Sequence, residues 1–203
     1  MERGSFAARH DFDALPLSPE VDVRCAQFSE IATLSDMARR LVPGVRIGTA
    51  DLAKYYTFDP ESILTFSRKG RLLGGMAFLF LNDRGHDALL LDEICLTAPE
   101  TEYLASARED VAAIYIWAIA ATGRGIAGLG KAAAHLRQVR FRGADCYAQP
   151  STVAGREIMR ATGFEPVPSF QPDLWCYERP WHRQPMRMPG VMIQARSFAD
   201  ARY

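Results

Sequence analysis

Apolar and polar positions change period several times along this chain, and the changes divide it into elements. Val21-Asp22-Val23-Arg24-Cys25 alternates with the period of two that marks a short, half-buried strand. Ile31, Leu34, Met37, Ala38 and Leu41 then recur at helical spacing until Pro43-Gly44 ends the run. A second helix is predicted from Thr49 to Tyr56, closed by Asp59-Pro60 because the residue before a proline is pushed out of the α region. Ile63 to Arg68, the dipeptide Lys69-Gly70, and Arg71 to Leu81 read as an antiparallel hairpin. Its second strand is nearly all apolar, so it is expected to lie centrally and covered on both faces.

Asp87 to Thr97 offers a further apolar run, interrupted by Asp92 and Glu93, and Thr101 to Asp110 has the alanine-rich, charged composition of a helix. The run Val111 to Ala121 fits a buried strand or a buried helix by period alone. Ile114, Tyr115, Ile116, Trp117 and Ile119 are strand formers and favour the strand. After a glycine-rich segment, Leu129, Ala132, Ala133, Leu136 and Val139 fall on one helical face. Lys131, His135, Arg137 and Gln138 fall elsewhere, with His135 expected on the solvated side. Asp145 to Gln149 reads as a short strand, and Pro150-Ser151-Thr152 leads into a helix with Ile158 and Met159 on its apolar side, ended by Gly163. Phe164 to Val167 and Leu174 to Glu178 supply the last strands. Residues 1–20 and 180–203 carry prolines without any period and read as arms flanking one domain over residues 21–179.

At 203 residues the chain is long enough for one sizeable core. Lysine plus arginine equals aspartate plus glutamate at 24 each, so no net field draws it onto nucleic acid or an anionic membrane. Its longest apolar run falls far short of the roughly 20 residues of a spanning helix. The first residues lack the apolar centre of a signal peptide, so a cytoplasmic protein is expected. Cys25, Cys95, Cys146 and Cys176 form no CxxC pair and have no histidine at ligand spacing, which predicts neither a metal site nor a disulfide framework. Cys95, Cys146 and Cys176 sit in apolar runs, where cysteine behaves as a small hydrophobe.

The segment joining the long apolar run to the following helix carries Gly123, Arg124, Gly125, Gly128, Gly130 and Lys131. Unpaired backbone N–H groups at a helix start, approached through glycines, make an anion site. Gly123, Gly125 and Gly128 have dinucleotide-loop spacing, but no parallel βαβ unit with a following acidic residue surrounds them. Lys131 is not followed by the serine or threonine of a nucleotide-triphosphate loop. A flexible turn is the remaining reading of these residues alone.

The strand Cys146-Tyr147-Ala148, the polar break, the helix around Gly155-Arg156-Glu157-Ile158-Met159-Arg160 and the ending Thr162-Gly163-Phe164-Glu165-Pro166-Val167 together resemble the C-terminal half of the GCN5-related N-acetyltransferase (GNAT) superfamily. The upstream order agrees over roughly residues 21–179: strand, helix, hairpin, apolar strand, glycine loop, helix, strand, helix, Gly-Phe, strand. The resemblance implies an α/β (α+β) fold with a mixed, mostly antiparallel central sheet flanked by helices. It also implies acetyl-coenzyme A as acyl donor, its pantetheine along Ile119, Ala120 and Ala121. The pyrophosphate would lie on the loop whose family pattern is [Gln/Arg]-x-x-Gly-x-[Gly/Ala]. Gly128-Leu129-Gly130 matches the Gly-x-Gly part, while Gly125 stands where glutamine or arginine is usual and Arg124 lies one position earlier. Arg124, Gly125, Ala127, Gly128, Leu129, Gly130 and Lys131 are the implied cofactor-binding residues.

Direct transfer from a thioester to an amine needs a base for the ammonium and an acid for the leaving thiolate. The tyrosine that many family members place four residues before the Gly-Phe pair is Met159 here, and Tyr147 is the nearest replacement by sequence. Asp92 and Glu93 are candidate bases, since a carboxylate among apolar residues holds its proton more tightly; a strand-edge charge or a salt bridge is the alternative. Tyr55, Tyr56, Tyr115 and Trp117 are candidates for an acceptor pocket or for the core. The implied activity is acyl-coenzyme A-dependent N-acyl transfer to a small-molecule or peptide amine. Its rival is a non-catalytic domain of the same fold that binds acyl-coenzyme A or a protein, with an acyl-homoserine-lactone synthase more remote. The C-terminal arm has enough apolar side chains (Trp181, Met186, Met188, Val191, Met192 and Phe198) to cross onto a partner subunit as a homodimer, cover the cleft or fold back on its own domain.

Overall fold

The computed structural model of the chain describes residues 11–42 and 48–179. Strands β1 (Asp22–Cys25), β2 (Ile63–Arg68), β3 (Arg71–Leu81), β4 (Ala113–Ala121), β5 (Asp145–Ala148), β6 (Glu165–Pro166) and β7 (Trp175–Tyr177) form one sheet. Their order is β1-β2-β3-β4-β5-β7-β6. Every pair is antiparallel except β4 with β5. The helices are α1 (Ile31–Leu41), α2 (Thr49–Phe58), α3 (Asp83–Leu90), α4 (Leu129–His135) and α5 (Val153–Ala161). The result is the mixed, mostly antiparallel sheet flanked by helices that the resemblance implied.

Local chemistry explains the best-defined turns. Lys69 and Gly70 both take positive φ, 49° and 76°, the backbone that a two-residue hairpin needs to match strand twist. Gly163 (φ 87°) ends α5 in a Schellman arrangement: its N–H donates to Arg160 at 3.3 Å and the Phe164 N–H to Met159 at 3.0 Å. Phe164 and Met159 are then buried in the same core.

That core lies between one face of the sheet and α4 with α5, where Phe66, Phe78, Phe80, Ile114 and Ile116 meet Leu129, Ala133 and Phe141. The opposite face is covered by α1 and α2 over Leu34, Leu52, Ala77 and Ala118, and by α3 over Leu79, Leu81, Leu89 and Tyr115. The register of β3 against β4 slips between Ala77 and Phe78, leaving Trp117 as an extra residue on β4. A bulge of one residue exchanges the faces. Before it, Ile114 and Ile116 face α4 and α5; after it, Ile119 and Ala121 do, and Ala118 turns toward α1.

Several expectations are corrected. The apolar residues from Asp87 onward belong to α3 and a following turn: the Asn82 side chain caps the helix by accepting from the Gly85 N–H at 2.9 Å, and Gly85, Ala88 and Leu89 are the buried side. Thr101 to Asp110 holds only a 3-10 turn, Thr101–Tyr103, because the segment is tied down by the Ala105 N–H donating to Phe80 at the end of β3. Val139 lies beyond α4, 73% exposed. Cys95 is exposed, whereas Cys146 and Cys176 are buried as expected. Residues 11–15 are seated on the domain: Phe12 is buried edge-on against Phe164 and Tyr177. The apolar residues named in the C-terminal arm lie outside the described residues.

Candidate functional site

The parallel pair β4–β5 is short. Its register runs from Ala113↔Asp145 to Ile116↔Ala148 and stops, while β4 continues to Ala121 paired with β3 alone. The cause is local. Pro150 has no N–H for a ladder, and the chain turns at once into α5, whose N-cap Thr152 accepts from the Gly155 N–H at 2.9 Å. From Ala118 to Ala121 one edge of β4 has no strand partner among the described residues.

The gap between the diverging strands is a cleft of about 640 Å³ that passes through the sheet. On the α4–α5 side it is lined by Ile119, Ala121, Ile126, Ala154, Gly155 and Ile158. On the other side it is lined by Leu41, Val42, Leu96, Thr97, Tyr115 and Trp117. Met159 and Gln149 lie between. Tyr115 Oη donates to Gln149 Oε1 at 2.8 Å, and Gln149 Nε2 donates to the Pro172 carbonyl at 2.6 Å, so the polar groups at the point of divergence hold one another. Burial pushes the Tyr115 hydroxyl well above the usual phenol range, and it stays protonated across the physiological range. Tyr55 braces this wall from behind: its ring meets Trp117 edge-on at 5.1 Å, and its hydroxyl donates to the Pro99 carbonyl at 2.9 Å.

The residues singled out by sequence separate into those at the cleft and those away from it. Ile119 and Ala121 line it, as do Tyr115 and Trp117. Ala120 points to the opposite face, beside Ala118 and Leu34. Tyr56 is half-buried against Phe28. Asp92 and Glu93 are exposed on the turn after α3 and absent from the cleft lining, so neither has the apolar seat that a raised carboxyl pKa requires. Tyr147 is buried on the α3 side of the sheet, its hydroxyl 2.8 Å from His86 Nε2, and is likewise absent from the lining. Burial raises its pKa, as it does for Tyr115.

The glycines serve packing. A Cβ on Gly128 would stand 2.8 Å from the Phe66 ring, one on Gly130 2.2 Å from the Pro16 carbonyl, and one on Gly125 3.1 Å from Leu73. Gly123 differs, with φ 51° and open space around it. Leu129 is buried in the core and Ala127 packs against it. Lys131 points to Asp22 of β1 at 4.0 Å, and Arg124 pairs with Glu20 at 3.2 Å. His135, expected in solvent, is largely covered: it faces Glu61 at 3.8 Å and the Phe141 ring, and burial lowers its pKa.

Sequence reasoning did not find Leu41, Val42, Thr97, Gln149 or Asp173 at the site, because loops brought together from distant positions leave no local spacing. Among the described residues there is no group of three or more potential metal ligands, and no helix is long and apolar enough to cross a membrane.

No protein-family model and no curated protein matches the chain. Among solved structures it is similar to Ard1 from Thermoplasma volcanium (TM-score 0.49, 13% identity, over 77% of this chain and 95% of that one). It is also similar to a GNAT family acetyltransferase from Brucella melitensis in complex with acetyl-CoA (0.45, 15%, 78% and 87%). A third is the GphF GNAT-like decarboxylase in complex with isobutyryl-CoA (0.43, 16%, 63% and 64%). The chain spans 64% of the GphF structure and 63% of the loading GNATL domain of CurA from Lyngbya majuscula, under two thirds of each.

Proposed function

We propose that this chain is a cytoplasmic acyl-coenzyme A-dependent N-acyltransferase of the GNAT type, with its domain over residues 21–179 and acetyl-coenzyme A as donor. The observation that carries the reading is the cleft through the sheet: two mouths on opposite faces meet at the point where β4 and β5 part. Such a passage lets a donor and an acceptor enter from opposite sides and meet, which a one-sided pocket does not.

The residues fit a pantetheine arm. It is a narrow chain with amide groups along its length, and the edge of β4 from Ala118 to Ala121 offers backbone groups without a strand partner beside the apolar Ile119 and Ile158. When bound, the donor supplies the activated thioester. The chain's own part is to hold that arm in the gap, with Trp117 and Tyr115 walling the acceptor side. Asp92, Glu93 and Tyr147 are absent from the lining, so in this reading protons leave and arrive through water at the two mouths.

Calorimetric titration with acetyl-coenzyme A tests the reading, together with Ala154→Trp. Ala154 is exposed and lines the α4–α5 mouth, so a bulky side chain there blocks the cleft without entering the core. Binding by the parent chain and loss in the variant are expected; absence of heat at millimolar donor sinks it. A second reading, a non-catalytic acyl-coenzyme A-binding domain, is favoured by Met159, which cannot donate a proton and lines the cleft where the resemblance implies a tyrosine. Steady thiol release with any amine in a broad panel removes that reading; donor binding with no release across the panel favours it.

A further inference from the structure

Two guanidinium groups from separate parts of the fold converge on one carboxylate oxygen. Arg68, the last residue of β2, lies 3.1 Å from Glu20 Oε2, and Arg124, in the 3-10 turn Gly123–Gly128 after β4, lies 3.2 Å from the same atom. Like charges brought this close repel unless an anion stands between them. Glu20 is that anion, and it is held loosely: its side chain is 48% exposed and that of Arg124 72%. An exposed pair of this kind contributes little stability, so another anion can take its place.

The position gives the arrangement a use. Arg124 stands between Ala121 and Ile126, both on the cleft's α4–α5 mouth. Beside it Gly123, with nothing within 4 Å of where a Cβ would sit, leaves the backbone open to approach. Gly128 and Gly130 offer no such access, since the Phe66 ring and the Pro16 carbonyl occupy the space over them. At this end of the cleft the open backbone and the convergent positive charge coincide at the corner of Gly123, Arg124 and Arg68.

We propose that Arg68 and Arg124 form the seat of a phosphate group on the ligand that enters this mouth, and that Glu20 fills the seat in the free protein and leaves it on binding. The proposal rests on the acyl-coenzyme A reading and adds a built-in competitor to it. Free ligand then has to displace Glu20, which weakens binding of phosphate-bearing donors and leaves phosphate-free ones untouched.

The test is calorimetry on the full chain with acetyl-coenzyme A and with S-acetylpantetheine, which keeps the thioester arm and lacks phosphates. Glu20→Gln is expected to tighten acetyl-coenzyme A by about twofold to fivefold, the worth of an exposed ion pair, and to leave S-acetylpantetheine unchanged. Arg68→Gln and Arg124→Gln are each expected to weaken acetyl-coenzyme A by about tenfold and to flatten its salt dependence. Binding of acetyl-coenzyme A that is the same in Glu20→Gln overturns the proposal and leaves the functional reading standing, as does an equal change for both ligands. Failure of both ligands to bind the parent chain overturns the functional reading and this proposal with it. Thermal unfolding of each variant, expected within a few degrees of the parent, separates a lost seat from a damaged fold.

Discussion

The hydroxyl of Tyr115, on β4, donates to the side-chain oxygen of Gln149, the first residue beyond β5, at 2.8 Å. It ties the two strands together at the place where their backbone ladder ends. Tyr115→Phe keeps the ring and removes the tie, leaving a buried amide oxygen short of a donor. Stability is expected to fall by about 1 kcal/mol in chemical denaturation. Donor binding is expected to weaken in the same variant, because the gap is no longer held at one width. An unchanged binding constant would mean that Pro172, through its bond to Gln149 Nε2, sets the width alone.

Arg140 clamps three segments that are remote in sequence. Its guanidinium pairs with Asp59 at 2.6 Å and Glu61 at 2.9 Å, donates to the Ser106 carbonyl at 2.9 Å, and lies over the Phe80 and Phe141 rings. Asp59 is nearly fully buried, so this pair is little screened by solvent. Asp59→Ala leaves Arg140 short of its closest counter-charge and is expected to cost about 3 kcal/mol, read from the denaturation midpoint. Arg24→Ala removes an exposed pair with Glu30 and is the contrasting control, expected to cost under about 1 kcal/mol.

The glycines rank by what surrounds them. Gly130→Ala and Gly128→Ala drive a methyl group into the Pro16 carbonyl and the Phe66 ring, and each is expected to cost about 1–3 kcal/mol. Gly123→Ala meets nothing, so its penalty is limited to the left-handed backbone, about 1 kcal/mol. Equal effects at Gly123 and Gly130 would contradict the packing role.

His135 gives a pH dependence whose sign follows from its surroundings. Burial holds its pKa below the ordinary 6.5, against the opposing pull of Glu61 and Asp59. Gln138 Nε2 lies 3.0 Å from its Nδ1, and Phe141 covers the ring. The folded protein therefore binds the proton less tightly than the unfolded chain does. The stability this represents is fully present above pH 6.5 and is lost as pH falls through the folded value. His135→Gln is expected to flatten the fall of unfolding free energy between about pH 7 and pH 5; an undiminished slope would place the titrating group elsewhere.

Thiol labelling distinguishes the four cysteines. Cys95 is exposed, and the Thr97 hydroxyl with the backbone N–H groups of Ala98 and Thr97 lowers its pKa. Cys146 and Cys176 are buried, and burial raises them, Cys146 to about 11. Burial also raises Cys25. Native protein treated with iodoacetamide is expected to lose one thiol quickly, and Cys95→Ser to abolish that fast phase.

The elements set by neighbours along the chain are legible in the amino-acid sequence. Lys69-Gly70 between two β-rich runs specifies a hairpin because only a tight turn with positive φ joins them, and Gly163-Phe164 specifies a helix end because the next carbonyl bonds need a left-handed residue there. The succession of strands, the helix after the glycines and the one after Thr152 follow from periodicity in the same way. The helix α3 is hidden from such reading, since its decisive cap is one side chain, Asn82, and its buried side is only Gly85, Ala88 and Leu89, too narrow a stripe to stand out.

Tertiary contacts decide the rest. A glycine segment by itself does not tell an anion's approach from close packing, and Phe66 and Pro16, far away along the chain, settle that for Gly128 and Gly130. Asp92, Glu93 and Tyr147 are candidates by residue type, but exposure of the first two and the His86 partner of the third depend on how α3 sits on the sheet. The cleft itself exists because a bulge at Trp117 turns β4 over and a proline ends β5 early, so that two strands diverge. Period and turn chemistry act between near neighbours and are written in the chain; facing, burial and the Glu20 bridge between Arg68 and Arg124 arise only when remote segments meet.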